Sequence, residues 1–406
     1  MISSCGWMNW INSFFSELEI FEDREHHVNY KEMLCNKIKN FLERPSEKTS
    51  EEVYESFFVA YWLGKVGDNP FLDLIKKVRQ YEKTSGSLLP NHRDHFSHAV
   101  FVFITGLVVY WNSKRYRDCF DYYIQKTKYA DLYTTKHEEF FYRWGIASLF
   151  HDTAYPIEIS IKQLNDYYKF TLSYGQELSS NNVVSIPGFC KYKNCIAQSI
   201  NPIYEDELKQ KYGDLNYLLE SDCCRLLARD IGNDFCLDKE QLFSEIYKYD
   251  NGISSGIVDH GFLGSLICLK WYSSLIDKTG WNPAYFHYPI LDAASAIFLH
   301  NAFKHLLQKK FSVPPMRVSQ KPISYLLILV DNLQVWKRES FSGAYQQNND
   351  VSDVKIDFGN ESIFAEFIVK DDVDLNCNAL KNEIKSILEL SDLFVEFDIS
   401  VSKEEK

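Results

Sequence analysis

Apolar positions recur at three- and four-residue spacing over most of the chain and alternate singly only near its C-terminus. Phe14, Leu18 and Phe21, then Phe57, Phe58, Tyr61 and Trp62, mark helices within residues 1–90. Arg44-Pro45-Ser46 interrupts that pattern and opens a polar linker reaching Glu52. Residues 99–110 predict a long apolar helix, led by the polar stretch 91–98. Residues 137–150 begin polar at His137-Glu138-Glu139 and become apolar. The segment 155–250 is mixed. It predicts helix around Tyr167 to Leu172, loops at 179–182 and 187–188, and a helix after Asp214 through Cys223 and Leu226. Apolar helices follow at 259–275, 290–301 and 323–336.

The tail reads differently. Residues 354–358 and 364–369 alternate, 380–390 have helical period, and 393–401 alternate again. That order is strand, strand, helix, strand. The fold class is therefore mainly α, with a small C-terminal α+β appendage. The expected division is a helical region at 1–90, a main domain at 91–342 with an insertion at about 157–250, and an α+β domain at 350–406.

Composition narrows the function. The 45% hydrophobic and 16% aromatic content is ample for a large core. A net charge of −12 without a Lys/Arg block argues against nucleic acid or an anionic membrane as the main partner. It leaves a small anionic substrate open, because a bound metal makes its own local field. The ten cysteines form no C-x-x-C pair and read as reduced thiols. The N-terminus lacks a basic signal region, and the apolar run 99–111 is too short to span a bilayer. The expectation is a soluble cytoplasmic protein.

The candidate chemistry lies in polar residues attached to apolar helices. They are His98, the pair His151-Asp152, His260, His300 and Asp331. Singly, each has a bland reading as a core or cap residue. Asp331, set between apolar residues on both sides, needs a strong partner, because an isolated buried carboxylate is expensive. One shared set of metal ligands explains all of them together. His92, His95 and His98 fall at i, i+3 and i+6.

The order His, His-Asp, His, His, Asp resembles the HD-domain superfamily of metal-dependent phosphohydrolases. It is carried by His98, Ser148-Leu149-Phe150-His151-Asp152, Asp259-His260-Gly261, Ala296 to Asn301 and Leu327 to Asp331. The resemblance covers roughly residues 91–340 and implies an HD-type helical bundle. It implies that His98, His151, Asp152 and Asp331 bind a first ion. Asp152 would bridge to a second ion held by His260 and His300, with His287 the alternative to His260. The cofactor would be one or two divalent ions (Mn, Fe, Ni, Co, Zn or Mg), and a metal-activated hydroxide would attack a nucleotide or related phosphoester. Asp152 is the central catalytic carboxylate in this scheme. Arg93 and His95, just before the first ligand, would face the phosphates, Arg93 by bidentate hydrogen bonds or else paired with Asp94. Gln334 and Arg338 follow Asp331 on its helical face, chiefly as packing residues.

Two rival functions stand beside this one. One is a di-iron oxygenase of the same fold with the same ligand order, disfavoured because no lysine stands between Thr153 and Glu158. The other is a non-catalytic nucleotide-binding regulatory module, which the intact set of four histidines argues against. The α+β tail is a candidate ligand sensor or dimerisation surface, so a homo-oligomer is a further expectation.

Overall fold

Helix α5 (His95–Asn112) is apolar on every side, and residues 95–110 of it are buried. A helix of that composition is stable only inside a shell of other elements. The computed structural model describes residues 4–20, 27–61, 70–86, 95–126, 135–172, 194, 205–206, 209–210, 220–254, 256–279, 286–335, 351–370 and 375–403. The chain divides into two units, Met1–Leu149 with Pro314–Lys406, and Phe150–Val313.

In the first unit, α1 (Ser4–Glu17), α2 (Tyr30–Glu43), α3 (Glu47–Ala60) and α4 (Pro70–Gly86) precede α5, and α6 (Lys114–Gln125) and α7 (Lys136–Phe150) follow it. The polar linker expected after Arg44 is instead the start of α3. Ser46 caps that helix, its side chain accepting from the Thr49 N–H while Thr49 Oγ1 accepts from the Ser46 N–H. Tyr54 of α3 stacks on Phe96 of α5 at 4.5 Å between centroids. Tyr110 of α5 stacks on Phe140 of α7 at 3.6 Å. Gly106 clears the space that the Trp144 ring fills, and the Trp144 indole N–H donates to the Phe103 carbonyl at 2.8 Å. These contacts make the N-terminal helices part of the same core as α5.

The tail joins the same unit. Helix α13 (Pro322–Leu333) starts with proline in its first turn, where no N–H is needed. Strands β1 (Val351–Phe358) and β2 (Ser362–Val369) pair antiparallel, and β2 pairs parallel with β3 (Glu396–Lys403), so β2 is central. Helix α14 (Cys377–Ile387) makes the crossover that a parallel pair requires. The last strand begins later than its alternation suggested, because Leu390–Asp392 forms a 3-10 turn that buries Leu393 and Phe394. Met316 bridges to Leu388, and the Tyr325 hydroxyl donates to the Glu389 carbonyl at 3.2 Å.

The second unit contains α8 (Tyr155–Leu172), α9 (Cys223–Phe235), α10 (Lys239–Ser254), α11 (His260–Thr279) and α12 (Leu291–Ala302). The segment expected as an insertion supplies α8, α9 and α10. The helix expected from Asp214 begins, among the described residues, at Cys223, where Asp222 accepts from the Cys224 and Arg225 N–H groups. Helices α11 and α12 pack closely because Gly261 and Gly264 present no side chain. A Cβ on Gly261 would stand 2.9 Å from the Ile297 carbonyl. Wide π turns, Phe286–Ile290 and Phe303–Gln308, flank α12.

Cys223, Cys224 and Cys268 are buried free thiols. Among the described residues, no single helix is long and apolar enough to cross a membrane.

Candidate metal centre

Helix α7 ends at Phe150, and a tight turn leads into α8. The Thr153 N–H and hydroxyl both donate to the Phe150 carbonyl, at 3.1 and 2.8 Å. Pro156 then restarts helix at Tyr155. His151 and Asp152 occupy the turn, His151 fully buried. In the second unit these two stand with His260, the first residue of α11, and His300, in the last turn of α12. Asp152, His260 and His300 each offer a ligand atom, all within 4.8 Å of one another. His151 Nε2 lies 3.3 Å from Asp152 Oδ2, and its ring centroid lies 5.3 Å from that of His300.

The tautomers follow from the other ring nitrogens. His260 Nδ1–H donates to Glu158 Oε2 at 2.7 Å, and the His260 backbone N–H donates to the same oxygen at 2.7 Å. His300 Nδ1–H donates to the Ile297 carbonyl at 2.5 Å. In its neutral form each ring therefore holds its proton on Nδ1, with the lone pair on Nε2. Those two Nε2 atoms face each other at 3.1 Å, with Asp152 Oδ1 3.7 Å from that of His260. Two lone pairs and a carboxylate in one place repel unless a cation lies among them, either a shared proton or a metal ion. Ligand atoms bonded to one ion at about 2.1 Å stand roughly 3.0–3.4 Å apart, so the 3.1 Å between the two nitrogens suits a divalent metal.

The local charges agree. Burial pushes His260 down, but the Glu158 hydrogen bond and the Asp152 and Glu158 charges outweigh it and leave the imidazole above its ordinary value. Burial pushes Glu158 up, and the His260 hydrogen bonds reverse that, leaving the carboxyl below its usual range. Burial raises Asp259. Asp259 Oδ1 accepts from the Phe262 N–H and Oδ2 from the Asn301 side chain at 2.7 Å, tying the start of α11 to the end of α12.

The first unit holds the other two expected ligands. His98, in the first turn of α5, places Nε2 2.9 Å from Asp331 Oδ1 on α13. His98 Nδ1–H donates to Gln334 Oε1, which is fully buried with its residue. The His98 lone pair thus also faces a carboxylate. His95 is buried, and both its backbone N–H and its Nδ1 contact Glu82 Oε1, at 2.9 and 3.1 Å.

Of the six residues expected from sequence, the second unit brings His151, Asp152, His260 and His300 together, and the first unit pairs His98 with Asp331. His287, the alternative to His260, is buried in the π turn before α12 and is not in the group with Asp152 and His300. Arg93 and Arg338 lie outside the described residues. Sequence reasoning missed Glu158 and Glu82, and it read Gln334 mainly as packing. Glu158 looks like any acidic residue in a helix's first turn, and its partner is 102 residues away. No protein-family model, no curated protein and no solved structure matches the chain.

Proposed function

We propose that this chain is a metal-dependent phosphohydrolase of the HD type, hydrolysing a phosphoester or phosphoanhydride bond in a nucleotide or related small molecule. The observation that carries this reading is the pair of imidazole lone pairs that His260 and His300 present to each other beside Asp152. His151, Asp152, His260 and His300 would hold metal in the second unit, and His98 and Asp331 are proposed ligands in the first. When bound, divalent ions would polarise phosphoryl oxygens and bring the pKa of a bound water towards neutrality.

The chain's own residues orient this chemistry. Asp152 divides its oxygens, Oδ2 towards His151 and Oδ1 towards His260. That division supports the bridging role implied by the resemblance. Glu158 and the Ile297 carbonyl hold two rings with Nε2 unprotonated, and Gln334 does the same for His98. Arg93 is proposed to donate to a substrate phosphate, and His95, held by Glu82, to stand beside it. The net charge of −12 favours a small substrate over nucleic acid.

Metal analysis of the purified protein, followed by a nucleotide panel with manganese, tests the reading. Bound metal and release of phosphate, pyrophosphate or nucleoside monophosphate are expected. A protein that binds no metal defeats the proposal. Oxygen consumption with iron, and no product from any nucleotide, assigns the oxygenase chemistry instead.

A further inference from the structure

We propose that Glu158 is the positioning residue that makes His260 a metal ligand through Nε2. The inference rests on the metal-binding reading above and adds a residue that the HD-type ligand order does not contain. One carboxylate oxygen, Oε2, accepts from both the backbone N–H and the ring Nδ1–H of His260, each at 2.7 Å. The same atom therefore fixes where the residue begins and where its ring points. A ring whose Nδ1–H is bonded in this way cannot turn over without losing a charge-assisted bond.

The placement of Glu158 follows from the fold. It lies in the first turn of α8, and α8 starts directly after the turn that carries Asp152. One short stretch of chain thus sets both the carboxylate Asp152 and the anchor of the imidazole opposite it. The Tyr155 ring stands edge-on to His260 at 5.4 Å and fills the neighbouring space. The Asp259–Asn301 bond and the Gly261 approach fix the helices on which His260 and His300 ride. They leave the ring's tautomer open, and Glu158 closes that freedom. A hydrogen bond to the distal nitrogen of a ligating histidine is typically worth about 10–100-fold in metal affinity.

The test uses the full chain labelled with 15N-histidine, metal-free and above the imidazole titration range. Wild-type His260 should carry its proton on Nδ1. Glu158→Gln keeps an acceptor oxygen without the charge, so it should keep that tautomer and bind manganese only slightly more weakly by calorimetry. Glu158→Ala should lose the fixed tautomer and bind manganese about 10–100-fold more weakly. A wild-type His260 protonated on Nε2 overturns the inference whether or not the alanine variant folds. Manganese binding in Glu158→Ala equal to wild type overturns it too. A wild-type protein that binds no manganese defeats the underlying metal reading, whereas a binding wild type with an unaffected variant defeats only the role of Glu158.

Discussion

His260 Nε2 and His300 Nε2 stand 3.1 Å apart, and both rings have already spent their proton on a partner behind them. The arrangement is a built receptor for positive charge. It is held by α11 and α12, which pack closely at Gly261.

Asp152→Ala should remove metal and activity together, because the carboxylate faces His151 with one oxygen and His260 with the other. The loss of metal affinity should exceed the roughly 10–100-fold typical of orienting residues. Elemental analysis of the purified variant checks this. Full metal content in it would contradict the assignment of Asp152.

Gly261→Ala should separate α11 from α12. The new Cβ would meet the Ile297 carbonyl at 2.9 Å and Asn301 Cβ at 3.1 Å, both on a packed helix. Overpacking of this kind costs about 1–3 kcal/mol. Thermal unfolding should show a lower midpoint, and the parted histidines should bind metal more weakly. An unchanged melting curve would show that α12 yields freely.

Gln334→Leu should weaken metal binding without unfolding the first unit. Gln334 is fully buried and accepts the His98 Nδ1 proton. Without that acceptor the His98 ring is free to protonate on Nε2, the nitrogen facing Asp331. A loss of about 10–100-fold in affinity is expected by titration calorimetry. Affinity equal to wild type would return Gln334 to a packing role.

His287 should make the protein acid-sensitive. Burial, assisted by the Arg229 charge, lowers its pKa to about 3. The unfolded chain takes up a proton near pH 6.5, where the native state does not, so stability falls with pH from about 6.5 to 3. The slope reaches up to about 1.4 kcal/mol per pH unit over that window. Comparing denaturant midpoints of wild type and His287→Gln between pH 7 and 4 isolates this effect. The advantage of wild type, if any, should shrink as the pH drops; a constant difference would refute it.

Much of the helical body was legible because segments such as α5 and α13 are apolar runs of helical length, and because the tail alternates. The boundaries were less so. Ser46 reads as part of a polar linker until its exchange of hydrogen bonds with Thr49 is seen. The histidines and aspartates of the site stood out because each is attached to an apolar helical segment. The groups that orient them did not. Glu158 and Glu82 are ordinary acidic residues in sequence, and only the fold carries them to His260 and His95. Arg93, whose role depends on what it faces, lies outside the described residues.

Asp331 occupies a special place along its helix, the last turn of α13. Aligned peptide dipoles leave partial negative charge at that end, which disfavours an added anion by roughly 0.3–1 kcal/mol. The metal-free fold therefore carries an electrostatic burden there, and an incoming cation relieves it. Loading with a divalent ion should raise the unfolding temperature even without substrate, and the gain should be largest at low ionic strength.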